Sequence, residues 1–175
     1  MMIPEILVAC ETPDILCRVE LAQINIPPCM GTFILSYGKP DWVVTGSYFG
    51  WTNDANWKDF PMPNQEHSIW AFDGSGMNTQ IRGCCNFLGG VSVMVNPGET
   101  IDTIANRIWH ELLHANDLPA DDMEDWIESR SWFERFLFKL TIEGHRLFWE
   151  RYYYLHLTKE IDPKISLGKY ISYLY

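Results

Sequence analysis

Residues 101–115 constrain the fold more than any other segment of the chain. Ile101, Ile104, Ile108, Leu112 and Ala115 recur at the spacing that gives an α-helix one apolar face. Thr100 stands where a side-chain oxygen can accept from an N–H of the first turn, so the helix is expected to start at Ile101. At the other end Asn116 and Asp117 tolerate the left-handed conformation that closes a helix, and Pro119 blocks its continuation. A helix of this kind is stable only when its apolar stripe is covered, so the rest of the chain must supply a layer for it.

The first ~98 residues have the composition for that layer, with β-branched and aromatic runs broken by Gly, Pro and Asn. The expected strands are Glu5–Cys10, Thr32–Tyr37, Trp42–Thr45, Ser68–Phe72 and Val91–Val95, with a long loop from Gly50 to Gln65. After Pro119, Asp121 fits an N-cap with Glu124 as its capping-box partner. A long second helix follows, with Trp126, Phe133, Leu137, Leu140, Leu147 and Phe148 as its apolar positions and Gly144 as the place to bend. The fold class read from this order is α+β: an N-terminal mixed sheet, then the 101–115 helix and a long C-terminal helix, in one domain spanning residues 1–175.

Composition narrows what such a domain does. Apolar residues make up 47% of the chain, which supports a packed core and argues against disorder. The formal net charge is −10, so phosphate backbones are repelled and no nucleic-acid partner is expected. The densest basic stretch, Arg130 to Lys139, is interleaved with Glu134 and aromatics and reads as a helix with a solvated edge. The five cysteines show no zinc-ribbon spacing, and no apolar run approaches the ~20 residues of a membrane span. With no signal-peptide pattern at the N-terminus, a cytoplasmic setting without membrane contact is expected.

The polar side of the first helix carries chemistry. His110-Glu111-Leu112-Leu113-His114 places two imidazoles four residues apart, on one face and about 6 Å from each other. That spacing lets both direct a ring nitrogen at one zinc ion at ~2.0–2.1 Å. Glu111 lies about 100° around the helix from His110, outside the ligand set but within reach of a water on the metal. Zinc lowers the pKa of such a water toward ~7, and Glu111 can take its proton as general base and return it as general acid. An HExxH string arises by chance in roughly one chain in a hundred of this length and composition, so its context matters. Here it lies on a well-defined helix, with His110 and His114 off the apolar stripe, and follows the strand at Val91–Val95 by a short connection.

In that context the chain resembles the zincin superfamily of metallopeptidases, over about forty residues from Gly90 to Ile127. The resemblance implies zinc as cofactor, a peptide or protein as substrate, and an edge strand whose backbone holds the extended substrate; Val91–Val95 is the expected edge strand. It also implies a third ligand, and the chain departs from the metzincin extension there. Asp117 stands in place of the Gly, and Ala120 stands in place of the third ligand, with Asp121 one residue late. Gluzincins take a Glu from a later helix, where Glu124, Glu128 and Glu134 lie. Short HExxH proteins of phages and mobile elements are similar from His110 to Glu128. Glu128 is therefore the first expectation for the third ligand and Asp121 the second. His145 or one of Tyr152, Tyr153 and Tyr154 is a candidate to stabilise an oxyanion, and His67 could approach the metal from the sheet. Two rival readings are a non-catalytic module that uses a closed four-ligand site, for example with His67 or a cysteine, to hold a partner protein, and a zinc amidase or esterase acting on a small molecule.

Overall fold

The computed structural model describes residues 4–26, 31–45, 61–76, 82–85, 89–116, 118–157 and 167–168. The chain is mixed α and β, with the sheet in its N-terminal part and a long helix near its C-terminal end. Its contacts group into two compact units, Met1–Leu118 and Pro119–Tyr175. No helix among the described residues is long and apolar enough to cross a membrane.

In the first unit the elements run β1 (Glu5–Cys10), α1 (Pro13–Gln23), β2 (Thr32–Tyr37), β3 (Val43–Thr45), β4 (Pro61–Pro63), β5 (Ser68–Phe72), β6 (Gly83–Cys85), β7 (Val91–Met94) and α2 (Ile101–Ala115). A five-stranded sheet has the order β2-β1-β5-β7-β6, and β3 and β4 form a separate antiparallel ribbon. Strands β2, β1, β5 and β7 are parallel, whereas β6 runs antiparallel to β7. Every residue of β5 and β7 is buried, the pattern of parallel strands covered on both faces. Trp70 and Phe72 share one face of β5 and pack with Val43, Met62, Cys84 and Met94. Alternation turns Ile69 and Ala71 to the other face, and both α1 and α2 pack on the sheet.

One helix is added here and one sequence expectation changes. Helix α1 starts from Thr12-Pro13-Asp14: Thr12 accepts from the N–H of Ile15, and Pro13 occupies the first turn, where it loses no bond. Ile15, Val19 and Ala22 form its buried stripe. The expected edge strand at Val91–Val95 is an internal strand instead, because β7 is bonded to β5 on one side and β6 on the other. The edge beside α2 is the short β6.

Helix α2 begins where Thr100 caps it, with the Thr100 hydroxyl accepting from the N–H of Thr103. Ile104, Ala105, Ile108, Trp109, Leu112 and Leu113 are its buried apolar residues. At its end Asn116 keeps a negative φ of −99°, and its side chain donates to the carbonyl of Leu112 at 2.7 Å, so Asn116 itself is not left-handed. The turn before α2 is fixed by charge. Glu99 accepts from the Arg107 guanidinium at 2.8 Å and from the N–H of Asn96 at 2.7 Å. Arg107 also donates to the carbonyl of Met94, and Arg18 of α1 donates to the carbonyls of Asn96 and Glu99.

The second unit contains a 3-10 turn (Ala120–Asp122), α3 (Met123–Glu128) and α4 (Trp132–Leu157). The expected single helix is interrupted at Ser129-Arg130-Ser131, and α4 is kinked at His145 (φ −136°, ψ 34°), next to Gly144 where a bend was expected. The expected capping box is absent: Asp121 sits inside the 3-10 turn, and the cap of α3, Asp122, makes no side-chain capping bond. The buried face of α4 matches the expected one only in part, since Leu137 and Phe148 pack against the core as expected. Phe133 and Leu140 are exposed, whereas Phe138, Trp149, Tyr152 and Tyr153 pack with Met123 and Ile127. The kink rotates the second half of the helix relative to the first, so one helical period cannot describe both halves. Glu134 is buried because Arg130 donates to it at 2.9 Å, Tyr152 at 3.0 Å and Ser131 at 3.1 Å.

Burial pushes the Glu99 and Glu134 carboxyls up, but the Arg107 and Arg130 hydrogen bonds and their polar neighbours win and hold both below the ordinary value of 4.5. A carboxyl depressed in the folded state contributes stability above its unfolded value and loses it as pH falls through the folded one. Unfolding free energy is therefore expected to drop as pH falls below about 4.5, measured by urea titration at stepped pH. Glu99→Ala is expected to lower it by about 2–3 kcal/mol at neutral pH, because Arg107 loses its charge partner at a half-covered site.

Candidate metal centre

Helix α2 presents three kinds of side chain around its last two turns. Ile108, Leu112 and Leu113 are buried in the apolar layer, and His110 and His114 are half-buried on another face. Glu111 is buried as well, with 8% of its surface exposed, which is unusual for a carboxylate.

The two imidazoles converge. Their Nε2 atoms stand 3.2 Å apart, and the rings meet nearly edge to face at an interplanar angle of 80°. Two nitrogens bound at ~2.0–2.1 Å to one tetrahedral zinc stand about 3.3–3.4 Å apart, so the helix alone sets this pair close to ligand spacing. A third donor follows in sequence. One ligand atom each from His110, His114 and Asp121 lie within 4.8 Å of one another, and among the described residues these three form the metal-competent group. Asp121 is exposed.

The remaining sequence candidates are placed elsewhere. Glu128, the first expectation for the third ligand, is exposed at the last residue of α3 and is not in the group. Glu124 faces Arg146 at 3.6 Å, and Glu134 is held by Arg130. Tyr152 and Tyr153 have committed hydroxyls: Tyr152 donates to Glu134, and Tyr153 donates to the carbonyl of Pro119 at 2.9 Å. Burial, and after it the Glu134 hydrogen bond, push the Tyr152 hydroxyl up to about 12. His145 is exposed at the kink of α4. His67 pairs with Glu66 at 3.3 Å in a left-handed turn conformation (φ 53°) and is also outside the group. Asp117 lies outside the described residues.

One residue at the site had no signal in the sequence. Gly83 of β6 lies against Glu111: a Cβ placed there would stand 3.0 Å from Glu111 Cγ, 3.3 Å from its Oε1 and 3.1 Å from the carbonyl of Ser92. The edge strand therefore passes the Glu111 side chain at backbone distance. A Cβ at that position would make the Glu111 side chain give by a few tenths of an ångström, because the Ser92 carbonyl belongs to the paired strand β7 and cannot move away freely. Cys84, the next residue, is buried, and burial with the nearby Glu111 charge pushes its thiol far up, so it is an inert apolar neighbour.

Gly83→Ala is expected to displace the Glu111 side chain and to cost about 1–3 kcal/mol of stability. Thermal unfolding together with a crystal structure of the variant checks both, and an unmoved Glu111 at full stability would contradict the close approach. The chain matches no protein-family model, no curated protein and no solved structure.

Proposed function

We propose that the protein is a zinc-dependent metallopeptidase of zincin type. The observation that carries the reading is the convergence of His110 and His114 at 3.2 Å on the same helix turn as the buried Glu111. The donor set fits zinc: two imidazole nitrogens and one carboxylate, with no thiolate in the group, make three protein ligands of the kind found in open catalytic sites. His110, His114 and Asp121 would hold the ion. The chemistry that zinc supplies in such a site is Lewis acidity, which draws charge from a carbonyl and lowers the pKa of water toward about 7.

Glu111 does the proton work. Its carboxylate takes the proton of the attacking water as the oxygen bonds to the peptide carbonyl carbon, holds it, and delivers it to the amine nitrogen as the C–N bond breaks. Burial suits that role, since a carboxylate shielded from bulk water keeps the proton it has accepted. The substrate is an extended peptide lying along β6. That strand ends the sheet beside Glu111, and among the described residues its outer edge pairs with no other strand. An open edge can bind a peptide through backbone hydrogen bonds. The same strand favours a peptide over a small ester or amide. The rival closed site would need a fourth donor such as His67 or a cysteine, and none belongs to the group among the described residues.

Metal analysis of protein purified without chelator is expected to give about one zinc per chain, which is lost in the double variant His110→Ala and His114→Ala. Iron in place of zinc, or zinc retained by the double variant, would sink the proposal. Glu111→Gln is expected to keep the metal and to lose at least about 100-fold in cleavage of a peptide library. Asp121→Ala is expected to weaken zinc binding while Glu128→Ala leaves it unchanged; the reverse order would return the third ligand to α3.

A further inference from the structure

One imidazole of the second unit is packed among aromatic rings with a nitrogen that bonds to nothing. His156 stands in the last turn of α4, and its Nε2 atom is buried without a hydrogen-bond partner among the described residues. Its ring meets Tyr152 edge to face, 4.6 Å between centroids, and lies 5.1 Å from the ring of Trp126 in α3. Those two rings already hold a cation. The Arg130 guanidinium lies 5.1 Å from the centre of Trp126 and 5.9 Å from that of Tyr152. Arg130 also donates to Glu134 and to the Tyr152 hydroxyl, which fixes it in that place.

A neutral imidazole suits this place and a charged one does not. Protonation makes Nε2 a donor with no acceptor bonded to it, and sets a second positive charge beside Arg130. A cation in the last turn of a helix is favoured by the helix dipole, but that gain is small beside burial and a like charge. Burial first, and then Arg130, hold the imidazole below its ordinary value of 6.5, against the pull of the Glu134 carboxylate. The Tyr152 hydroxyl, pushed up to about 12, stays neutral in this range. From α3 the ring meets Trp126, which does not ionise.

We propose that His156 is a pH-operated latch of the helical unit: neutral, it packs the last turn of α4 against Trp126; protonated, it leaves the rings and releases that turn. The latch stands apart from the metal centre, since no proposed ligand takes part in it. The folded unit binds this proton less readily than the unfolded chain does. Its stability is therefore full above about pH 6.5 and falls as pH drops through the folded value. That window lies above the carboxylate one, below about 4.5, that Glu99 and Glu134 open.

The test follows the carbon-bound imidazole protons of His156 by NMR on the full-length protein, from about pH 7.5 down to about pH 5. The midpoint is expected below 6.5. Hydrogen-exchange protection of the amides in the last turn of α4, corrected for the intrinsic effect of pH, is expected to fall over the same range. His156→Phe keeps a ring against Trp126 and has no charge to gain, so its protection is expected to stay level there. Arg130→Gln removes the competing cation and is expected to raise the His156 midpoint. Should either variant fail to fold, the titration and the exchange of the unmodified protein still decide. A midpoint at or above 6.5, protection that does not change with the titration, or an equal loss in His156→Phe overturns the inference.

Discussion

The ion pair between Arg107 and Glu99 governs how α2 lies on the sheet. Arg107 is in the second turn of the helix and Glu99 is in the turn before it, and the guanidinium also donates to the carbonyl of Met94 at the end of β7. Glu99 meanwhile accepts from the N–H of Asn96, and the Asn96 side chain accepts from the N–H of Gly74 after β5. The ends of two parallel strands and the start of a helix are thus tied to one carboxylate. Apolar packing alone fixes which face of α2 is buried; it resists sliding and rotation weakly, because Ile and Leu tolerate small shifts. The charged clamp removes that freedom. A helix rotated by even a fraction of a turn would carry Glu111 away from Gly83 and swing both imidazoles with it.

The clamp makes the division of faces on α2 effective. Residues 110, 111 and 114 occupy two directions: outward for the histidines, and toward the sheet edge for the glutamate. Burial of Glu111 has to be accommodated by the strand beside it. β6 does this with a glycine, so the carboxylate lies against backbone rather than side chain. The absence of a side chain at position 83 is part of the site's geometry as much as the presence of one at position 111.

The sequence made these arrangements visible to different depths. Strands β1, β2 and β5 and helix α2 were readable to the residue, because alternation, runs of β-branched residues and the Thr100 cap are local signals. Helix α1 carried a local signal too, in Thr12-Pro13-Asp14, but its short amphipathic stripe is easily taken for a loop between strands. β6 and Gly83 left no trace, since three residues of glycine and cysteine become a strand only through pairing with β7. The same holds for α4. Periodicity suggested Phe133 and Leu140 as core positions, and the kink at His145 together with the buried Glu134 changed which side is covered. At the site, the pair His110 and His114 followed from the four-residue spacing alone. For a third carboxylate the sequence offered both Glu128 and Asp121, because such a position depends on how the chain turns after Pro119 and not on any period.

That difference has a physical cause that bears on the order in which such a centre is assembled. Two donors on one helix are preorganised as soon as the helix forms, and their 3.2 Å separation needs no long-range contact. A donor beyond the helix end must be ordered separately, and the ordering entropy is of the order of 1–2 kcal/mol per residue fixed. In this chain Pro119 restricts the backbone at the start of the turn, the hydrogen bond from Asp122 to Pro119 closes it, and Tyr153 holds its carbonyl from α4. The helix therefore carries the pattern that the sequence reveals, whereas the turn after Pro119 is set by contacts within the second unit.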